Sequence, residues 1–269
     1  MATPGKKSGT RVTDAAPTAA PAGPPGTDGT DGDHDIATKK GPWQTATVVG
    51  IREETQRAKT FRFALPAPAE RLAGQHYVIR LMAPDGYTAQ RSYSVANPPD
   101  GSNEIDLTIE RLEGGEVSMF MHDDVAVGDE LEVRGPIGRW FVWEGTTPAV
   151  LVGGGSGVVP LMAMLRLARK LGRPELLRLL VSVRTPGDLY YSDELPGPES
   201  TVVFTRSAPP GTQRPVGHLA AADLAPLVRP GVTGYVCGSS GFADAASYLL
   251  VDLGVPAAQV RVERFGPSG

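Results

Sequence analysis

A chain of 269 residues with 41% hydrophobic and 21% charged residues has the make-up of an ordinary soluble protein with room for two cores. Its net charge of −4 argues against nucleic acid as a partner, and its single cysteine, Cys237, excludes a disulfide framework and a cysteine-ligated iron–sulfur cluster. The four histidines show no metal-ligand spacing, and no apolar run approaches the roughly 18 residues that span a bilayer, so no metal site and no membrane partner are expected.

Residues 1–42 are dominated by Ala, Pro, Gly, Thr and Asp, with Val12 and Ile36 the only branched aliphatics. Such a segment cannot bury enough apolar surface to offset its ordering entropy, and a disordered tail is expected there. No apolar stretch follows Lys6 and Lys7 as a secretory signal would require, so a cytoplasmic setting is expected.

Residues 43–144 carry six short alternating runs, at 46–52, 60–64, 76–81, 91–95, 104–110 and 129–134, separated by Gly, Pro, Asp and Asn. Six such strands without intervening helices predict an antiparallel β-barrel, interrupted by one helix over 115–123. Residues 147–266 change rhythm. Strands at 149–152, 177–183, 201–205, 233–237 and 259–265 alternate with helical patterns at 158–171, 189–195, 218–227 and 242–253. That alternation predicts a doubly wound parallel sheet, so the fold class is a six-stranded barrel followed by an α/β domain.

Within the fourth strand, Arg91-Ser92-Tyr93-Ser94 gathers a cation, an aromatic face and two hydroxyls. Those groups suit an anionic ligand with a flat ring, the arginine meeting phosphate and a serine bonding a ring nitrogen. The turn Gly153-Gly154-Gly155-Ser156-Gly157 follows the first strand of the α/β domain and opens its first helix, where backbone amides hold phosphates. It departs from G-x-G-x-x-G at Val158 and fits a plain tight turn as well as a ligand site. A second small-residue turn, Cys237-Gly238-Ser239-Ser240-Gly241, follows a later strand on the same edge and favours the ligand reading.

With Gly115-Glu116-Val117-Ser118 at the barrel helix and Glu263-Arg264-Phe265 near the end, these motifs occur in the order found in the ferredoxin–NADP reductase family. The chain resembles that family's compact bacterial members over about residues 45–266. The resemblance implies a flavin-binding barrel and a nicotinamide-nucleotide domain, with Arg91 on the flavin phosphate, Tyr93 stacked on its ring and Ser94 near N5, next to Val95. It implies Gly115, Val117 and Ser118 at the flavin pyrophosphate, hence FAD rather than FMN, and Cys237, Gly238 and Glu263 beside the nicotinamide. Gly154, Gly155, Ser156 and Gly157 would hold the second nucleotide. Family members of the plant type end at a tyrosine; here Phe265 is followed by four residues, and it either stacks on flavin or packs in the core. Arg111 and Tyr77 are further flavin candidates, and Trp140 and Trp143 are expected in the seam between domains.

The third strand of the α/β domain ends at Thr205-Arg206, the second at Val183-Arg184 without a carboxylate, and Arg214 follows nearby. Arginines there suit a 2′-phosphate, so NADPH is expected over NADH. The function implied is hydride transfer from NADPH to bound FAD, then release of single electrons to a separate acceptor protein such as a ferredoxin. The rivals are a reductase of free flavin and a non-catalytic electron-relay subunit.

Overall fold

The computed structural model describes residues 41–68 and 70–266. The tail expected over residues 1–42 lies almost wholly outside the described residues.

Strands β1 (Gln44–Thr55), β2 (Ala58–Ala64), β3 (His76–Met82), β4 (Thr88–Ser94), β5 (Glu104–Glu110) and β6 (Glu130–Ile137) form one antiparallel sheet in the order β4-β3-β6-β1-β2-β5. The sheet curls until its two edges meet. Among the described residues one bridge joins them, from Val95, just past β4, to Leu107 of β5. The barrel wall is therefore closed at one end of β4 and open along the rest of that strand. Alternation sets what faces in: Tyr77 and Ile79 of β3 are buried while His76, Val78 and Arg80 are half-buried outside. Helix α1 (Glu116–Asp123) plugs one end of the barrel, turning Val117 and Met121 into the same core as Phe61, Phe63, Ile105 and Ile109.

The second half contains β7 (Ala149–Gly154), α2 (Val158–Lys170), β8 (Leu177–Val183), β9 (Ser200–Phe204), α3 (Ala221–Leu224), β10 (Thr233–Ser239), α4 (Ser240–Asp252) and β11 (Val260–Phe265). Its five strands are parallel, in the order β11-β10-β7-β8-β9. Alternate residues feed opposite faces. Leu151, Leu179, Tyr235 and Cys237 join α2 on one side, whereas Val150, Leu180 and Val236 join Leu250 of α4 on the other. The chain winds outward from β7 towards β9 and from β10 towards β11, so β7 and β10 flank the point where the winding reverses.

The helix expected over 189–195 is absent. Tyr191 takes a left-handed backbone (φ 57°), which breaks any helical run, and the segment forms turns instead. The helical stretch expected over 218–227 shrinks to the four residues of α3. The described residues pack as one unit. Phe141, Trp143, Ala73 and Ala96 of the first half share a core with Leu161, Met164 and Leu165 of α2. Trp143 is thus in the seam, as expected. Trp140 is not: it is 62% exposed, with the Arg261 guanidinium 5.3 Å above its ring.

Candidate functional site

Strand β4 pairs only with β3, setting Ser94 opposite His76, Tyr93 opposite Tyr77 and Arg91 opposite Ile79. The exposed Arg91 donates only to the neighbouring Gln90 carbonyl (2.8 Å), and no carboxylate among the described residues pairs with it. Tyr93 is half-buried, and burial pushes its phenol up to about 12. Ser94 is buried, yet its hydroxyl bonds to nothing among the described residues. Val95 is held by its amide, which donates to the Gln75 carbonyl (3.0 Å). Tyr77, a further flavin candidate, is fully buried in the barrel core, and its hydroxyl has no partner among the described residues.

Helix α1 packs beside β4 and starts from Gly115 with no side chain capping its first amides. Free amides and the helix dipole at that end favour an anion. Ser118 shapes the approach: its hydroxyl donates to the Gly115 carbonyl (3.1 Å) and accepts from the Leu112 amide (3.1 Å). A Cβ at Gly115 would lie 2.5 Å from that oxygen. Val117 points into the barrel core and anchors the helix. Arg111 is committed elsewhere, since both its Nε and its Nη2 donate to the Asp123 carboxylate (3.1 and 2.8 Å) at the far end of α1.

The two glycine-rich turns lie against each other where the winding reverses. Cys237 of β10 is in register with Gly153 of β7. A Cβ at Gly157 would collide with the Cys237 carbonyl, and one at Gly154 or Gly238 would lie 2.6 Å from the Phe242 ring. Gly155 adopts φ 55°, and a 3₁₀ turn over Gly155–Gly157 leads into α2, again without a side-chain cap. Ser156 is half-buried, with its hydroxyl unbonded among the described residues.

Glu263 stands beside Cys237, paired in register across β10 and β11. Burial pushes the Glu263 carboxyl up to about 7, and it pushes the Cys237 thiol well above its usual range, with the Glu263 charge adding to the effect. The pair is a proton-rich, uncharged corner at moderately acidic pH. Phe265, opposite Ser239, is half-buried and packs on the α2 core.

At the outer edge of the sheet, Arg206 and Ser207 donate their amides to the Arg184 carbonyl (2.9 and 3.2 Å), and the Thr205 amide donates to the Val183 carbonyl (2.9 Å). The ends of β8 and β9 are thereby stitched together, which brings Arg184 and Arg206 side by side. Both are exposed, and neither meets a carboxylate among the described residues. Arg214 does meet one, donating from Nε and Nη2 to Asp223 (2.5 and 2.7 Å). The nearest acid after β8, Asp188, is held by the Thr185 amide (2.9 Å) and hydroxyl (2.7 Å).

Two groups escaped the sequence reading. Arg166 of α2 donates to the Ala96 carbonyl (2.9 Å), two residues beyond Ser94, and Tyr191 bonds Thr108 of the barrel (2.6 Å). The adjacent tyrosines at 190 and 191 were the only local signal.

An uncommitted arginine, a half-buried tyrosine, a free hydroxyl and an uncapped helix start on the barrel fit a flavin carrying a pyrophosphate. Glycines whose Cβ atoms would clash, beside a second uncapped helix start, fit a second nucleotide. Residues 45–142 match the oxidoreductase FAD-binding domain family. The chain is 29% identical over 233 residues to a ferredoxin–NAD(P)(+) reductase component of naphthalene 1,2-dioxygenase/salicylate 5-hydroxylase systems from a Ralstonia species, covering 83% of this chain and 69% of that protein. It is 30% identical over 237 residues to the reductase component of propane 2-monooxygenase from Rhodococcus jostii, covering 81% of this chain and 62% of that protein. Among solved structures, a cytochrome P450 reductase from Amycolatopsis superposes with a TM-score of 0.69 at 26% identity, over 85% of this chain and 71% of that one.

Proposed function

We propose that this chain, whose residues 45–142 match an oxidoreductase FAD-binding domain, is a member of the ferredoxin–NADP reductase family and carries electrons from NADPH through FAD to a separate redox protein. Residues 43–144 would be the FAD-binding domain and 147–266 the nicotinamide-nucleotide domain. Bound FAD supplies the redox chemistry, accepting an electron pair and releasing electrons singly.

The chain's own residues bind, orient and exclude water. Arg91 and the amides following Gly115 hold the flavin phosphates, and Tyr93 offers a face to the ring. Ser94 presents its unbonded hydroxyl to the edge of the ring that accepts hydride. The packed turns at Gly154–Gly157 and Cys237–Gly238 seat the nicotinamide nucleotide, with Cys237 and Glu263 walling its reactive end. The phosphate preference follows from Arg184 and Arg206: two free cations, with Asp188 already engaged, suit a 2′-phosphate better than a 2′-hydroxyl.

The observation that carries this reading is the bond from Arg166 to the Ala96 carbonyl (2.9 Å). It ties the helix that begins at the glycine turn to the chain just beyond Ser94, so both cofactor half-sites belong to one assembly. The test is to purify the chain, identify the flavin it releases by chromatography, and compare NADPH and NADH oxidation with ferricyanide. FAD retained through gel filtration and faster turnover with NADPH are expected. Loss of flavin on the column would identify a reductase of free flavin, and retained flavin without nicotinamide oxidation would identify a relay subunit.

A further inference from the structure

The loop between β8 and β9 does more than connect them. Tyr191, almost fully buried, donates its backbone amide to Glu54 Oε2 of β1 (3.1 Å), and its hydroxyl meets Thr108 Oγ1 of β5 (2.6 Å). Thr108 Oγ1 meets Thr60 Oγ1 of β2 (2.7 Å), and Thr60 donates to Glu54 Oε1 (2.6 Å). These four bonds form a closed ring through three barrel strands and one loop of the nucleotide domain. The carboxylate can only accept, which fixes the sense of the chain: Tyr191 gives to Thr108, Thr108 to Thr60, Thr60 to Glu54. Arg52 pairs with Glu54 (2.6 Å) and neutralises it.

A second tie lies alongside. Arg166 sits 4.6 Å over the Tyr191 ring, forms an ion pair with Glu194 of the same loop, and donates to the Ala96 carbonyl. Tyr191 accepts a left-handed backbone to reach this place, the only non-glycine residue among those described to do so.

We propose that Tyr191 and Arg166 are positioning residues that fix the angle between the barrel and the nucleotide domain, and so the separation of the two rings that exchange hydride. This rests on the reading of the chain as a two-nucleotide reductase. Neither residue touches either ring. Their effect is geometric: one anchors the barrel two residues from Ser94, the other bonds two barrel strands directly and a third through Thr108, and a misplacement of about 1 Å at reacting atoms costs on the order of a hundredfold in rate.

Two measurements on the FAD-loaded full chain test the latch. The first places spin labels on Cys introduced at Glu130 and Asp252, both exposed, one on each half, while Cys237 is buried. Wild type should give one narrow distance, and Tyr191→Phe and Thr108→Val a broadened one; Thr108→Ser, which keeps the hydroxyl, should restore the narrow one. The second is stopped-flow flavin reduction at saturating NADPH. There Tyr191→Phe and Thr108→Val should be slowed about tenfold or more, with NADPH affinity and flavin content within twofold of wild type. Unchanged distance widths, or reduction within twofold of wild type, would overturn the proposal. If Tyr191→Phe does not fold, Thr108→Val against Thr108→Ser decides alone. A chain that oxidises no nicotinamide would sink the functional reading, while the distances would still report whether the latch holds the halves.

Discussion

A hydroxyl on a buried residue that bonds nothing among the described residues is available to a ligand, and Ser94 carries one. Ser94→Ala should slow flavin reduction by about tenfold or more while changing flavin affinity less, since the bond matters most as charge develops at the ring edge. Equal rates in stopped flow would remove Ser94 from that role. Arg206→Ala should raise KM for NADPH roughly tenfold, the scale of one charge-assisted hydrogen bond, and leave NADH nearly untouched. Glu263 gives a pH signature. Its folded pKa of about 7 lies above the ordinary 4.5, so between those values the folded state holds more proton than the unfolded one, and stability falls as pH rises through that window. Wild-type Tm should therefore drop relative to Glu263→Gln between about pH 4.5 and 7 and run parallel above it; parallel curves throughout would show that the carboxyl is not buried as described. The types and order of these residues were legible in the sequence. Their commitments were not: Arg111 and Arg214 are paired with Asp123 and Asp223, and those pairs exist only once the local turns and helices have formed.

At the scale of elements, period-two alternation was enough to place all six barrel strands, and the alternation of strand and helix was enough to place the five parallel ones. Leu189 and Leu195 suggested a helix, but the tyrosines between them are spent on the barrel, and one left-handed residue overrides the apolar spacing. Trp140 was expected in the seam between domains; it stacks under Arg261 at the surface instead. The contact of the two glycine turns was also invisible, because parallel register depends on crossover lengths rather than on local pattern. That contact leaves no room for a methyl group. Gly157→Ala should destabilise the chain by about 1–3 kcal/mol through overpacking against the Cys237 carbonyl, read as a lower urea midpoint. An unchanged midpoint would mean that the turns do not touch.

For the molecule as a whole, the shared core around Trp143 makes the two halves one cooperative body. Trp143 packs on α2 and donates its indole N–H to the Thr147 carbonyl (2.9 Å). Trp143→Ala should cost roughly 3–5 kcal/mol and split a single calorimetric transition into two. A barrel that closes through one bridge, Val95 to Leu107, has a different kind of consequence. Most of β4 keeps one row of amides and carbonyls without a strand partner, a surface that ordinarily recruits another copy of itself. On the proposed reading the flavin edge covers that row. FAD would then act as a solubility factor as well as a redox group, and stripping it should turn a monodisperse protein into one that self-associates, visible as rising light scattering that added FAD reverses.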